Sequence, residues 1–446
     1  MQQKSPTPVT WYEQQFAALE RGLNGDAGSA VHALRRQALG RFTQTGFPTT
    51  RDEEWRFTNL SSLARVEWVL PKAQARVTPD EIAPYTLPGK AHRLVFVNGH
   101  WSRALSSVNA LPAGVRVESL AEALRRNERE VLEALGSVAT MPDHPLTALQ
   151  TAFVMDGAYV CVPDRVDCPD PVELLFIVTP EQAPIAVHPR SLIRMGQHSR
   201  LSVVETYVGL GSGSYFTNMV TEVMVGAGAE LEHDKLQFEN AHAYHIGSTY
   251  MRLGERSVAT SNSVAVGGLL VRNAVTATFA GEHAECTLNG LSLATGTQHI
   301  DNHTAIDHAQ PNCASHELYK AIHDGHSRGV FNGKIFVRKD AQKTDARQTN
   351  KTLLLSDDAT MNTKPQLEIF ADDVKCTHGA TIGQLDEDQV FYLRARGIGE
   401  EQARDILTFA FAADVVERIH VETLRERLES LLHTRLMQGR IRTVES

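Results

Sequence analysis

Four short runs decide the fold: SLIRMG (191–196), TEVMVG (221–226), TYMRLG (249–254) and TATFAG (276–281). Each is an apolar or alternating run that stops at a glycine, and the glycines follow one another at 30, 28 and 27 residues by subtraction of 196, 226, 254 and 281. A repeat of this size points to a solenoid, in which one coil cannot bury its apolar face alone and stacks on the next. The pattern fades after residue 285, and a β-sandwich also spaces its strands regularly, so the periodicity favours a parallel β-helix over a sandwich without excluding the latter.

Outward from this stretch, residues 150–383 keep the same texture of short Val-, Leu-, Thr- and Tyr-rich runs punctuated by Gly, Asn and Asp, and read as the β core. The chain before it divides into a helical region, 1–65, and a mixed connecting region, 66–149. In the former, Thr10 and Glu13 have capping-box spacing, and Tyr12, Phe16, Leu19 and Leu23 form an apolar stripe. A second helix is expected from Ser29 to Phe42, ended by Gly46-Phe47-Pro48. The connecting region carries a strand at 93–97 and a helix from Leu120 to Leu135. Helical periodicity returns over 384–446, with Ile406, Leu407, Ala410, Phe411 and Val415 on one side of one helix and Leu424, Leu428, Leu431 and Leu432 on another. Helices totalling about 50 residues hide little apolar surface by themselves. They are expected to lean on the β core, on another chain, or on both.

Composition narrows the function. With 446 residues, 42% apolar and 22% charged, the chain is globular, and a net charge of −9 opposes whole-surface binding of nucleic acid or anionic membrane. The start, Met1-Gln2-Gln3-Lys4-Ser5-Pro6, has no apolar core of a secretory signal, and no run approaches a membrane span; a soluble, cytoplasmic protein is expected. The five cysteines, Cys161, Cys168, Cys286, Cys313 and Cys376, never form C-x-x-C, which fits reduced thiols and not a ferredoxin-type cluster motif.

No nucleotide loop is present. Gly329 and Gly333-Lys334 have three intervening residues where the loop needs four, and Ile335 stands where Ser or Thr would hold magnesium. Gly209-Leu210-Gly211-Ser212-Gly213 reads as a flexible turn, since it lacks the dinucleotide spacing. Two polar constellations remain. His299, Asp301 and His303 would share one face of a strand, followed by His308, His316, His323 and His326; a structural polar face outweighs a metal site there. Cys376 and His378 would likewise share a face, offering a thiolate and an imidazole to iron or sulfur species. Two ligands are too few, so a partner chain would complete the site if this strand is an exposed edge.

Around this pair the sequence resembles the SufB/SufD family of iron–sulfur cluster assembly proteins, on its SufD side. The resemblance rests on Phe331-Asn332-Gly333-Lys334-Ile335-Phe336-Val337, 340–346, Gln348-Thr349-Asn350-Lys351, 353–356, 362–369, the Cys376/His378 segment and 391–398, together with Gly46-Phe47-Pro48 and 53–58. It implies a mainly β protein with a right-handed parallel β-helix core between N-terminal and C-terminal helical domains. It further implies a non-catalytic scaffold that pairs with a SufB-like paralogue and docks a SufC-like ATPase. His378 then sits at the interface where the nascent cluster forms, as a metal ligand shared with the partner chain, with Cys376 beside it. Phe391, Tyr392, Arg394, Arg396, Gly397, Ile406, Phe409 and Phe411 fall to ATPase docking. The isolated chain would bind no cofactor, the cluster being transient in the complex and ATP held by the partner alone; without its paralogue it would pair with itself as a homodimer. SufB matches less well: its cysteine in the stretch corresponding to 353–356, and its acidic residue where Gly379 stands, are both absent. The alternative reading is an exported β-helix enzyme acting on polysaccharide through carboxylates or the histidine group after residue 299.

Overall fold

A computed structural model describes residues 8–22, 29–71, 76–139, 144–180 and 183–437. The segment 1–6 and Leu23 therefore lie outside the described residues.

The β core is a parallel solenoid of about eight turns. One face stacks Val172–Val178, Arg200–Gly209, Glu230–Glu239, Val258–Gly267, Glu285–Ala294, Ala314–His323, Asp345–Leu354 and Lys375–Gly383 as successive parallel neighbours. The other stacks Arg190–Met195, Tyr215–Val225, Ala243–Leu253, Leu270–Phe279, His299–His308, Arg328–Val337 and Thr360–Ile369. The chain alternates between the faces, so each coil lies on the one before. His92–Val97 joins the first face in parallel with Val172–Val178, and a helix, Pro145–Phe153, spans residue 150.

The glycines of the repeat sit at the corners, one directly over the next. Gly226 N–H donates to Met195 O at 3.0 Å and Gly254 N–H to Val225 O at 2.9 Å. A Cβ on Gly226 would stand 2.6 Å from the carbonyl carbon of Gly196, and one on Gly254 2.9 Å from the nitrogen of Ala227. No side chain fits there, which is why the repeat is written in glycine.

Except in the last coil, both sheets are covered on two sides, and the strands bury polar as well as apolar side chains. Leu201, Val203, Tyr207, Met219, Val223 and Val225 point into the coil. Outside, Phe216, Tyr244, Ile246 and Leu270 are covered by Tyr12, Phe16, Phe42, Trp68 and Phe153 from the N-terminal part. Val204, Leu236, Phe238, Val264, Val266, Leu291, Leu293 and Ile322 are covered by Val415, Val416, Ile419, Leu424, Leu428 and Leu432. The C-terminal helices therefore lean on the β core.

Local expectations are corrected in three places. The first helix, Pro8–Gly22, is already under way at Thr10, so Thr10 and Glu13 do not begin it; Pro8 brings a backbone angle suited to a first turn. The expected helix from Leu120 to Leu135 is two, Leu120–Arg125 and Arg129–Ala134, because Asn127 adopts φ +54° between them. In the helix Glu400–Val416 the buried residues are Ala403, Thr408, Ala412, Val415 and Val416; of the expected stripe, Val415 is buried and Phe411 packs against the same cluster, whereas Ile406 and Leu407 are half-buried and Ala410 is exposed. The second helix, Ala30–Thr45, is capped by Ser29, whose Oγ accepts from His32 N–H at 3.2 Å, and closed by Gly46 at φ +67°.

Candidate functional site

Lys375–Gly383 is the last strand of its sheet and pairs on one side only, with Asp345–Leu354. Thr360–Ile369 is likewise last in the other sheet. Together they form the open end of the solenoid. They are not equivalent edges: Pro365 sits in the middle of Thr360–Ile369 and cannot donate to a further rung, whereas Lys375–Gly383 has no proline. A partner strand can run along the second without interruption.

Cys376 and His378 lie on that strand in register with Ala346 and Gln348 and share the face turned toward the coil interior. Cys376 is half-buried against Ala346, Ile335, Val337, Ala341 and Val374, while His378 is exposed. Burial, and then the charge of Asp345, push the Cys376 thiol upward, which favours a protonated, partly packed thiol. His378 thus presents an imidazole at the mouth of the coil with Cys376 on its wall.

Sequence reasoning passed over what lies behind His378. The inward column runs Leu288, Glu317, Gln348, His378 through successive rungs. Gln348 Nε2 donates to Glu317 Oε2, and burial pushes the Glu317 carboxyl up to about 7. Gly333, on the opposite strand, leaves the space that the Gln348 amide fills. Gln348 and Gly333 were visible only as members of the resembling motifs. Pro365 carried a signal, since a proline inside a strand marks an edge.

The His299–His303 group does share one face, and it faces outward beneath residues 53–58. Thr58 Oγ1 donates to Asp301 Oδ2 at 2.5 Å and lies 2.9 Å from His299 Nε2. Arg272 Nη1 donates to Asp301 Oδ2 at 2.5 Å and to His303 Nε2 at 2.9 Å, and its guanidinium stacks 3.8 Å from the Trp55 ring. Burial would raise the Asp301 carboxyl, but Arg272 and then His303 hold it well below the usual range. An arginine at the centre of this group takes the place a cation would need. Among the described residues no three His, Cys, Asp or Glu side chains are grouped to hold a metal ion.

The docking candidates divide. Asp386 caps the helix Glu387–Arg394, accepting from Asp388 N–H at 2.9 Å, and the only residue that helix buries is Val390. Phe391 and Tyr392 are 69% and 57% exposed, and Arg394, Arg396 and Gly397 are exposed beside them. Arg396 stacks on the Tyr392 ring at 3.3 Å. Ile406, Phe409 and Phe411 are half-buried; the last two pack into the cluster that seats the helices, and Lys320 Nζ donates to Phe411 O at 3.0 Å. No helix among the described residues is long and apolar enough to cross a membrane.

Comparison with known proteins agrees over nearly the whole chain. Residues 176–411 match the family model described as SUF system FeS cluster assembly, SufBD core domain, and residues 8–174 match the SufBD protein N-terminal region. An iron–sulfur cluster assembly SufBD family protein of Synechocystis is 34% identical over 425 residues, covering 93% of each chain. The iron–sulfur cluster assembly protein SufD of Escherichia coli is 31% identical over 421 residues, 91% of this chain and 93% of that one. The chloroplastic protein ABCI7 of Arabidopsis thaliana is 30% identical over 425 residues, 93% of this chain and 88% of that one.

Proposed function

The chain belongs to the SufBD family of iron–sulfur cluster assembly proteins, and on that premise we propose that it is a scaffold subunit which pairs through Lys375–Gly383 with a SufB-like paralogue and docks a SufC-like ATPase. The observation that carries this reading is the unpaired rim strand, which holds Cys376 and His378 where only a second chain can complete their coordination. His378 supplies one nitrogen ligand and Cys376 a thiolate that coordination would deprotonate. The chain has no phosphate-binding loop, so ATP acts through the partner, and the transient cluster is the cargo of the assembly.

Docking of the ATPase is assigned to the exposed helix Glu387–Arg394 and the turn after it. Phe391, Tyr392 and the Arg396 guanidinium form an aromatic and cationic patch of the kind that anchors protein interfaces. Removing the whole segment from Glu400 would be a poor test, because it would strip the cover from Val204, Leu236 and Phe238. The sharper experiment is co-expression with both partners. The wild-type chain should purify with paralogue and ATPase together, and Phe391→Ala combined with Tyr392→Ala should weaken ATPase binding by at least tenfold, with the paralogue retained. Unchanged ATPase retention would move the docking surface elsewhere. The polysaccharide alternative needs free carboxylates in a groove; in the cavity beside His303, Asp301 is buried and engaged by Arg272 and Thr58, while Glu54 and Glu53 pair with His303 and Lys364.

A further inference from the structure

We infer that Gln348 is a positioning residue for His378: its buried amide oxygen receives a ring N–H of the histidine and leaves the other ring nitrogen free for the metal. This rests on the reading of His378 as a ligand at the rim. Gln348 and His378 are register partners on adjacent rungs, and both point into the coil. Gln348 is 2% exposed, and its amide nitrogen is committed to the carboxylate of Glu317 one rung further in. That commitment fixes which end of the amide is free: Gln348 Oε1 is buried and accepts no hydrogen bond. A buried carbonyl without a donor is unfavourable, so a donor is expected in the working assembly.

His378 stands next in the column and carries an N–H. The neighbouring column makes the contrast. Asn350 Oδ1 is also buried and unpartnered, but Ala380 stands over it with nothing to give. The column through Gln348 is the one of the two that ends in a donor. The opposite sheet also makes room for this arrangement, since a Cβ on Gly333 would fall inside contact distance of the Gln348 amide nitrogen and 2.7 Å from its amide carbon. Metal-binding histidines are generally held in this way, with the second ring nitrogen bonded to a carbonyl or carboxylate that sets tautomer and ring orientation. Capping of the rim by a second chain would dehydrate His378 and strengthen the bond.

The test uses the full chain co-purified with its paralogue and ATPase. Cluster loss to an excess iron chelator is timed, and pulsed EPR of the reduced cluster is recorded with 15N-histidine labelling. Gln348→Leu removes the acceptor, and Gly333→Ala, from the other sheet, pushes the amide away without touching it chemically. Both should release iron 10- to 100-fold faster than wild type. Both should also broaden the coordinated-nitrogen signal while leaving the subunit ratio in place. Both should lower the unfolding midpoint, because Gln348→Leu leaves the buried Glu317 carboxyl without its donor and Gly333→Ala crowds Phe331 as well as the amide, so the nitrogen signal is the readout that reports positioning. Wild-type release rates in both variants, with His378→Ala unable to hold a cluster, would overturn the positioning role and leave the scaffold reading intact. A cluster held equally well by His378→Ala would overturn both.

Discussion

Replacing His378 by Ala is expected to leave the fold and the three-chain assembly intact while iron and acid-labile sulfide recovered per assembly fall at least tenfold. The side chain is exposed on the terminal rung, so little packing is lost and the stability change should stay within about 0.5 kcal/mol. The expected loss of cluster comes from chemistry: a site built from two donors on this chain loses one, and even changes in groups that merely orient a ligand cost about 10- to 100-fold. Elemental analysis and absorption of the purified assembly read the result directly. Equal cluster content in wild type and variant would remove His378 from the mechanism.

The largest stability effect is expected far from the rim. Arg190 and Glu222 are both buried, and Arg190 Nη2 donates to Glu222 Oε1 at 2.6 Å. Arg190 Nη1 also reaches Gln150 Oε1 at 2.7 Å and Thr151 Oγ1 at 3.0 Å, on the helix Pro145–Phe153. Glu222 in turn accepts from the backbone N–H groups of Gly136, Val138 and Ala139 at 2.8, 3.0 and 2.9 Å. One ion pair thus ties the solenoid to the N-terminal part. Glu222→Ala leaves a buried guanidinium without its counter-charge and three amides without their acceptor, and should cost about 3–5 kcal/mol in urea unfolding. A cost under about 1 kcal/mol would mean that the pair contributes little to holding these parts together.

The solenoid was legible because its first corners approach so closely that they take glycine. Met195, Val225, Leu253 and Phe279 end successive strands of one sheet, and glycine follows the first three. After them the corner residues become Ala280, Ala309 and Arg338, and the strand ends Phe279, His308, Val337 and Ile369 lie 29, 29 and 32 residues apart by subtraction. The coils continue unbroken while the mark that betrayed them is gone, which is why the pattern faded near residue 285.

The interior was not legible. Glu230–Glu239 mixes Leu231, Leu236 and Phe238 with Glu232, His233, Asp234 and Lys235, so its pattern marks no single apolar face. In the fold, Leu236 and Phe238 face the C-terminal helices together with Glu232, which accepts from His420 N–H at 3.1 Å, whereas His233, Lys235 and Gln237 go inside with Leu231. His233 lies 3.3 Å from Glu205, and Lys235 Nζ donates to Asn273 Oδ1 at 2.7 Å; burial brings the Lys235 ammonium down to about 8. Alternation alone gives two faces without saying which is wet, because helices supplied from 180 residues away cover the outer one. The rim pair fared better. A Cys and a His two apart share a face of any strand, so their juxtaposition needed only the strand; the glutamine behind His378 needed the register between coils.

The central claim is that Lys375–Gly383 is a free edge in the isolated chain and a paired one in the assembly, and amide hydrogen exchange across residues 375–383 tests it most directly. The amides not engaged with Asp345–Leu354 should exchange rapidly in the isolated chain and slow at least tenfold when the SufB-like paralogue binds. A stable assembly in which these amides exchange as they do in the isolated chain would contradict the account.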